Sequence, residues 1–132
     1  MKGFIANIEE ETLANENFRK VLYTAPHSQL VLMSLQPGEE IGEEVHELDQ
    51  FFRFESGDGK VVIDGVESMV ADGSAVVIPE GARHNVINTS SDKALKLYTI
   101  YSPAEHVDGV VHATKQDALD DTSDEFDGKT TE

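Results

Sequence analysis

The chain has 132 residues, enough for one domain with one core, and 39% of them are hydrophobic, with six Phe and three Tyr. It contains no cysteine, which excludes disulfides and thiolate metal sites and leaves His, carboxylate and amide groups as the available metal donors. Its formal net charge of −16 argues against nucleic-acid and anionic-membrane partners, which require a basic surface, and no apolar run approaches the ~18 residues of a membrane span, so a cytoplasmic protein is expected.

Phe4 to Ile8 is expected as a short edge strand, and Glu9 to Asn15 as a weak helix with Asn7 at its N-cap. Phe18 to Thr24 predicts a strand, and Ala25-Pro26-His27-Ser28 a turn that places His27 on the surface. Gln29 to Leu35 is almost continuously apolar, as in a strand buried on both faces or set against a partner subunit. After the turn Gln36-Pro37-Gly38-Glu39, Ile41 to His46 is expected as a strand on which Glu44 and His46, two residues apart, share one face.

Gln50 to Glu55 alternates, so that Gln50, Phe52 and Phe54 point inward while Arg53 and Glu55 point out, and Phe51 is left as an exposed aromatic that needs cover. Lys60 to Ile63 and Val66 to Val70 form a hairpin across Asp64-Gly65. Ser74 to Ile78 reads as a buried strand. The bend Pro79-Glu80-Gly81 precedes a strand through His84 and Val86. In the last long strand, Ala94 to Tyr101, a solvated Lys96 points Leu95, Leu97, Thr99 and Tyr101 inward. His106 and His112 fall in a surface loop, Lys115 to Leu119 makes one or two helical turns, and the acid-rich stretch from Asp117 to Glu132 reads as a solvated, partly disordered tail.

Many short strands with Gly, Pro and Asp turns and little helix give an all-β sandwich or barrel. If the two ligand-bearing segments are neighbours in it, Glu44, His46, Gln50 and His84 converge inside, and two imidazoles with a carboxylate suit a divalent transition metal.

Two spacings carry a family resemblance. Gly38-x5-Glu44-x-His46-x3-Gln50-x6-Gly57 resembles the first cupin motif, G-x5-H-x-H-x3,4-E-x6-G. Gly73-x5-Pro79-x-Gly81-x2-His84-x3-Asn88 resembles the second, G-x5-P-x-G-x2-H-x3-N, and matches it at every fixed position. The first departs at two ligands: Glu44 stands where the family has a His, and Gln50 where it has a Glu. The resemblance covers roughly residues 30 to 101 and is that of a small single-domain, RmlC-like cupin. It implies a double-stranded β-helix, the jelly-roll barrel, with short N-terminal strands and an acidic C-terminal tail. Residues 1–116 would form one cupin domain, with the core barrel over about 28–101, and 117–132 the tail.

The resemblance also implies one divalent transition metal, Zn, Mn, Fe or Ni, on Glu44, His46, Gln50 and His84, in a pocket for a small molecule walled by Phe52, Phe54, Val86 and Tyr101. Small cupins commonly pair, and the apolar strand Gln29 to Leu35 and Phe51 offer surplus faces, so a homodimer is expected. Three functions remain open. The first is non-redox Lewis-acid chemistry, for which the Glu, His, Gln and His set looks like a permuted version of the phosphomannose isomerase site. The second is an Fe(II) dioxygenase built on Glu44, His46 and His84. The third is a binding module, since only Tyr101 and His106 stand outside the ligand set as further acid–base groups.

Overall fold

The structure is a computed structural model that describes residues 1–132. Helix α1 (Ile8–Ala14) leads into β1 (Arg19–Thr24), β2 (Gln29–Leu35), β3 (Asp49–Ser56), β4 (Asp58–Ile63), β5 (Val66–Ala71), β6 (Ala75–Ile78), β7 (His84–Asn88), β8 (Leu95–Ser102) and β9 (Val111–His112), with helix α2 (Lys115–Asp120) last. Every strand pairing is antiparallel. One sheet has six strands in the order β6-β3-β8-β2-β1-β9, and the other three in the order β5-β4-β7. This is the expected all-β jelly roll, and no helix is long and apolar enough to cross a membrane.

The two-residue period of a strand decides which side chains enter the core. On β8, Leu95, Leu97, Thr99 and Tyr101 are buried while Lys96, Tyr98 and Ile100 lie outward. On β3 the buried set is Gln50, Phe52 and Phe54. These rows meet Val61, Val70 and Val86 of the smaller sheet in one apolar cluster. Each of the apolar side chains among them contributes roughly 1.5–3 kcal/mol by leaving water. Asp64 and Gly65, with φ of 46° and 82°, make the tight turn between β4 and β5 that a D-G pair favours.

Several motif residues turn out to be architectural. The Asn88 amide donates to the carbonyls of Leu35, Gln36 and Lys93 at 3.1, 3.1 and 2.8 Å, tying the end of β7 to two turns. Gly81 donates its N–H to the His46 carbonyl at 3.0 Å and so fastens the second motif to the first.

Other expectations are corrected. Phe4 to Ile8 is not a strand. Ile8 already belongs to α1, because the Asn7 side chain accepts from the Glu10 N–H at 3.0 Å and caps the helix there. The arm before it lies over the outer face of the larger sheet, with the Phe4 ring 6.1 Å from that of Tyr23. Ile41 to His46 is not a continuous strand either. It joins the smaller sheet only through isolated bridges at Glu40 and Glu44, because Gly42, at φ 111°, breaks the run. Strand β6 is a sheet edge rather than a buried strand: Ile78 is buried but Val77 is 66% exposed. Phe51 is half-buried, its ring 6.2 Å from that of Tyr98. Glu55, beside a bulge between Phe54 and Ser56, is buried rather than solvated, although it pairs at 3.2 Å with the partly exposed Arg53.

The largest departures are at the C-terminal end. His106 and His112 are not on a surface loop but 6% and 4% exposed, respectively. His112 lies on β9, which pairs with β1 and closes the edge of the larger sheet. The segment read as a loose tail is fastened to the barrel. Helix α2 begins with a capping box between Thr114 and Asp117. Beyond it, Asp121 bonds the His112 Nε2 at 2.9 Å, and Asp124 bonds the His106 Nδ1 at 2.7 Å and the Val107 N–H at 2.9 Å.

Gly57 has φ of 97°, and a Cβ placed there would stand 2.5 Å from the Ala94 carbonyl oxygen and 3.0 Å from the Leu95 Cα. Both neighbours are backbone, so neither can rotate away. Gly57→Ala is therefore expected to lower the unfolding free energy by about 1–3 kcal/mol or more, read from the urea midpoint. A variant within about 0.5 kcal/mol of the parent, as for an ordinary surface change, would contradict this account of the close approach.

Candidate metal centre

Glu44 and His84 are joined by reciprocal backbone bonds. The Glu44 N–H donates to the His84 carbonyl at 2.8 Å, and the His84 N–H to the Glu44 carbonyl at 2.9 Å. Such a pair faces its two side chains the same way from adjacent chain segments. His46, two residues on, keeps the parity of Glu44. The ligand atoms of Glu44, His46 and His84 all lie within 4.8 Å of one another, and the two imidazole rings are 5.3 Å apart between centroids.

Hydrogen bonds settle what each group presents. The His84 Nδ1–H donates to the Ala82 carbonyl at 3.0 Å. A carbonyl can only accept, so in the neutral ring Nε2 carries the lone pair, and that atom is buried with no hydrogen-bond partner in the protein. A metal-ligating histidine takes this form, its second nitrogen held by a backbone acceptor. Gln50 repeats the arrangement. Its Nε2 donates to the Thr99 hydroxyl at 3.0 Å, and its Oε1 is buried with no partner. Gln50 stands on the facing sheet, opposite Tyr101 in register and on the same face of β3 as Phe52. The Phe52 ring lies 6.5 Å from His84, and the Tyr101 ring 6.0 Å from His46, at right angles to it.

Of the expected pocket wall, Phe52 and Tyr101 thus flank the histidines. Phe54 and Val86 lie fully buried in the core cluster, Phe54 stacked against Phe52 at 6.3 Å. His27 is exposed, away from this site.

The His46 Nε2 and Glu44 Oε2 are 2.7 Å apart. Burial by itself would lower the His46 pKa, but the Glu44 hydrogen bond and charge, helped by Glu105, hold it above the ordinary 6.5. Burial would likewise raise the Glu44 carboxyl. The bond to His46 and the charges of His46, Arg19 and His84 bring it below its usual range instead. Three further groups act here that strand periodicity did not reveal. Glu105 faces the His46 Nδ1 at 3.7 Å, and burial, with repulsion from Glu44 and Asp124, lifts its own pKa against the pull of His46. Arg19 is buried, 5.3 Å over the Phe18 ring and 4.0 Å from Asp124. Asp124 comes from the C-terminal segment. Glu105 and Asp124 belong to stretches without regular alternation, so no sequence pattern marks them. Arg19 sits on β1 among ordinary strand residues.

Residues 31–101 match the Cupin domain family. The chain is a cupin. It is 46% identical over 125 residues to the uncharacterized protein YrkC of Bacillus subtilis, an alignment covering 89% of this chain and 67% of that one. It is 44% identical over 113 residues to the uncharacterized protein L612 of Acanthamoeba polyphaga mimivirus, covering 82% of this chain and 70% of that one. Among solved structures it resembles BH2720 of Bacillus halodurans, at 46% identity and a TM-score of 0.87, over 89% of this chain and 94% of that one. The cupin motifs therefore mark the two places that bring Glu44, His46 and His84 together.

The His46–Glu44 pair has a defined pH signature in this cupin without metal. Because the folded pKa of His46 is raised and that of Glu44 lowered, the pair's contribution to stability is complete between the ordinary values of 4.5 and 6.5, is lost as the pH rises through the folded His46 value, and is lost again as it falls through the folded Glu44 value. Glu44→Gln removes the charge and leaves burial to act against the imidazolium. The His46 pKa, followed by NMR titration, is expected to fall by about a pH unit or more; an unchanged value would show that Glu44 does not control it.

Proposed function

We propose that this cupin holds one divalent transition metal on Glu44, His46 and His84, with the Gln50 carbonyl oxygen as a fourth donor, and acts as a non-redox catalyst on a small metabolite bearing a carbonyl or hydroxyl oxygen. The observation that carries this reading is the buried His84 Nε2, left without a partner in a cluster whose ligand atoms lie within 4.8 Å of one another, with the likewise unpaired Gln50 Oε1 on the facing sheet. A buried acceptor without a partner is unfavourable by about 1–3 kcal/mol, and a cation satisfies both. The donor set carries one formal negative charge and only nitrogen and oxygen atoms, which suits Zn, Mn, Fe or Ni.

When bound, the metal supplies Lewis-acid polarisation of a substrate oxygen. The chain's own residues do the rest. Ala82 keeps the His84 lone pair pointed at the site, and Thr99 does the same for the Gln50 carbonyl. Phe52 and Tyr101 flank the histidines with buried aromatic surface, which keeps bulk water from the inner side of the site. A second reading is favoured by the ligand types themselves: two His and one carboxylate form the facial set of Fe(II) oxygenases.

Metal analysis of protein purified without a His tag or chelator tests the proposal. Zinc or manganese near one equivalent supports the Lewis-acid reading, iron with oxygen uptake supports the oxygenase, and protein that takes up no metal leaves a binding module. Under the proposal, His84→Ala and His46→Ala abolish tight binding, Glu44→Gln weakens it markedly, and Gln50→Ala weakens it least, because a neutral amide adds little charge stabilisation. Glu44→Gln binding as tightly as the parent would overturn the ligand set.

We further propose that the cupin works as a homodimer through the outer face of its larger sheet. Register pairing lines up Val77, Phe51, Ile100, Leu30 and Tyr23 in one row across five strands. The N-terminal arm adds Phe4 and Ile5, and Ile5 is 95% exposed. No member of the row is charged in a chain of net charge −16, and the Glu132 carboxylate at its β1 end is already engaged by the Tyr23 hydroxyl and the Lys2 and Gly3 N–H groups. Sedimentation equilibrium at micromolar concentration is expected to give twice the chain mass. Leu30→Glu is expected to give the monomer, and a parent that sediments as a monomer would count against the pairing.

A further inference from the structure

Beside the candidate metal centre runs a second buried hydrogen-bonded chain, Asp124 to His106 to Tyr101. The Asp124 Oδ2 is 2.7 Å from the His106 Nδ1, and the His106 Nε2 is 3.2 Å from the Tyr101 hydroxyl. The rings of Tyr101 and His106 meet edge to face at 5.0 Å. The other side of the Tyr101 ring system meets the metal-centre residue His46 at 6.0 Å. All three members are nearly inaccessible: Tyr101 is 2% exposed, and the side chains of His106 and Asp124 are 7% and 6% exposed.

The polarity of this chain follows from its ends. A carboxylate only accepts, so the His106 Nδ1–H donates to Asp124. Burial, outweighing the Asp124 bond, lowers the pKa of His106, so at neutral pH the ring carries that single proton. Its Nε2 then accepts, and the Tyr101 O–H donates to it. The segment is clamped on both sides. Gln29, wholly buried, receives the N–H groups of Glu105 and His106 at 3.2 and 2.9 Å and donates to the His106 carbonyl at 2.8 Å. Asp124 receives the Val107 N–H, and the Phe126 N–H donates to the Glu105 carbonyl at 3.0 Å. Glu105, in the middle of this clamp, is the carboxylate that faces the His46 Nδ1.

We propose that Asp124, on the C-terminal segment, is a positioning residue for the metal centre: by fixing His106 in its Nδ1–H form it locks the Tyr101 hydroxyl and holds the tyrosine ring and Glu105 against His46. This rests on the metal-binding reading above for its functional meaning, but the hydrogen-bonded chain belongs to the protein itself. The acidic end of the chain is then a wall of the site rather than a solubilising tail. Asp121 serves as the contrast. It fastens the same segment, but through His112, whose Nδ1 accepts from Arg19 rather than from Tyr101.

The experiment is nitrogen-15 NMR of the histidine rings in the metal-free full-length protein, with cobalt(II) titration as a second readout. The parent is expected to show His106 protonated at Nδ1 and bare at Nε2. Asp124→Asn is expected to shift His106 toward the Nε2–H form, to move the ring signals of His46, and to weaken cobalt binding by about tenfold, as loss of a partner behind a ligand does. Tyr101→Phe is expected to lose a similar factor, and the double variant to lose no more than either alone, because both break one chain. Asp121→Asn is expected to leave the His106 and His46 signals unmoved. A parent with His106 protonated at Nε2 overturns the proposal without any variant, and so does an Asp124→Asn protein with unchanged His46 signals, or losses that simply add. A parent that binds no cobalt defeats the metal reading, while the ring signals still decide this one.

Discussion

One reciprocal pair of backbone hydrogen bonds, between Glu44 and His84, is the constraint on which the site depends. It joins two motifs forty residues apart in sequence and sets both side chains on one face. Gly42 makes it reachable: its φ of 111° lets the chain leave the sheet after Ile41 and return in register at Glu44. The Gly81 N–H on the His46 carbonyl adds the third fixed point, so that the three candidate ligand positions are held by backbone hydrogen bonds. Backbone placement of this kind resists drift when neighbouring side chains change, as befits a site that needs tolerances well below an ångström.

Electrostatics then divides the site into two halves. On one side, His46 and Glu44 form a charge-assisted pair, each moving the other's pKa toward its charged form against the effect of burial. On the other, His84 and Gln50 present bare acceptors whose opposite ends are already engaged by Ala82 and Thr99. Under the metal-binding proposal, a cation held here would satisfy the second half and would have to compete with the proton shared by His46 and Glu44, so that its affinity would depend on pH.

The C-terminal segment contributes more than its composition suggests. Asp121 and Asp124 each end on a buried histidine, and the buried Arg19 lies between them, 4.0 Å from Asp124 and 3.4 Å from the His112 Nδ1. A buried guanidinium needs such acceptors, since leaving it unpaired carries a penalty of several kcal/mol. The acidic stretch thus compensates a cation that β1 places inside the barrel.

The architecture was legible in the sequence because strands report themselves by alternation and turns by glycine, proline and Asp-Gly pairs. Leu95 to Tyr101, Gln50 to Phe54 and the Asp64-Gly65 hairpin lie where their patterns put them. The spacings around Glu44, His46 and His84 likewise marked residues that do meet. What only the tertiary structure decided were the contacts with no period behind them. Glu105, His106, His112 and Asp124 occupy stretches whose local composition resembles solvated loop and tail. Most of their partners are far away in sequence: Gln29 for His106, Arg19 for His112 and Asp124, and His46 for Glu105. Local sequence records a residue's own backbone preference and the side of a strand it faces. It does not record whether a distant charge will be waiting where the chain returns, and that is why the barrel could be read from its repeats while the wall behind His46 could not.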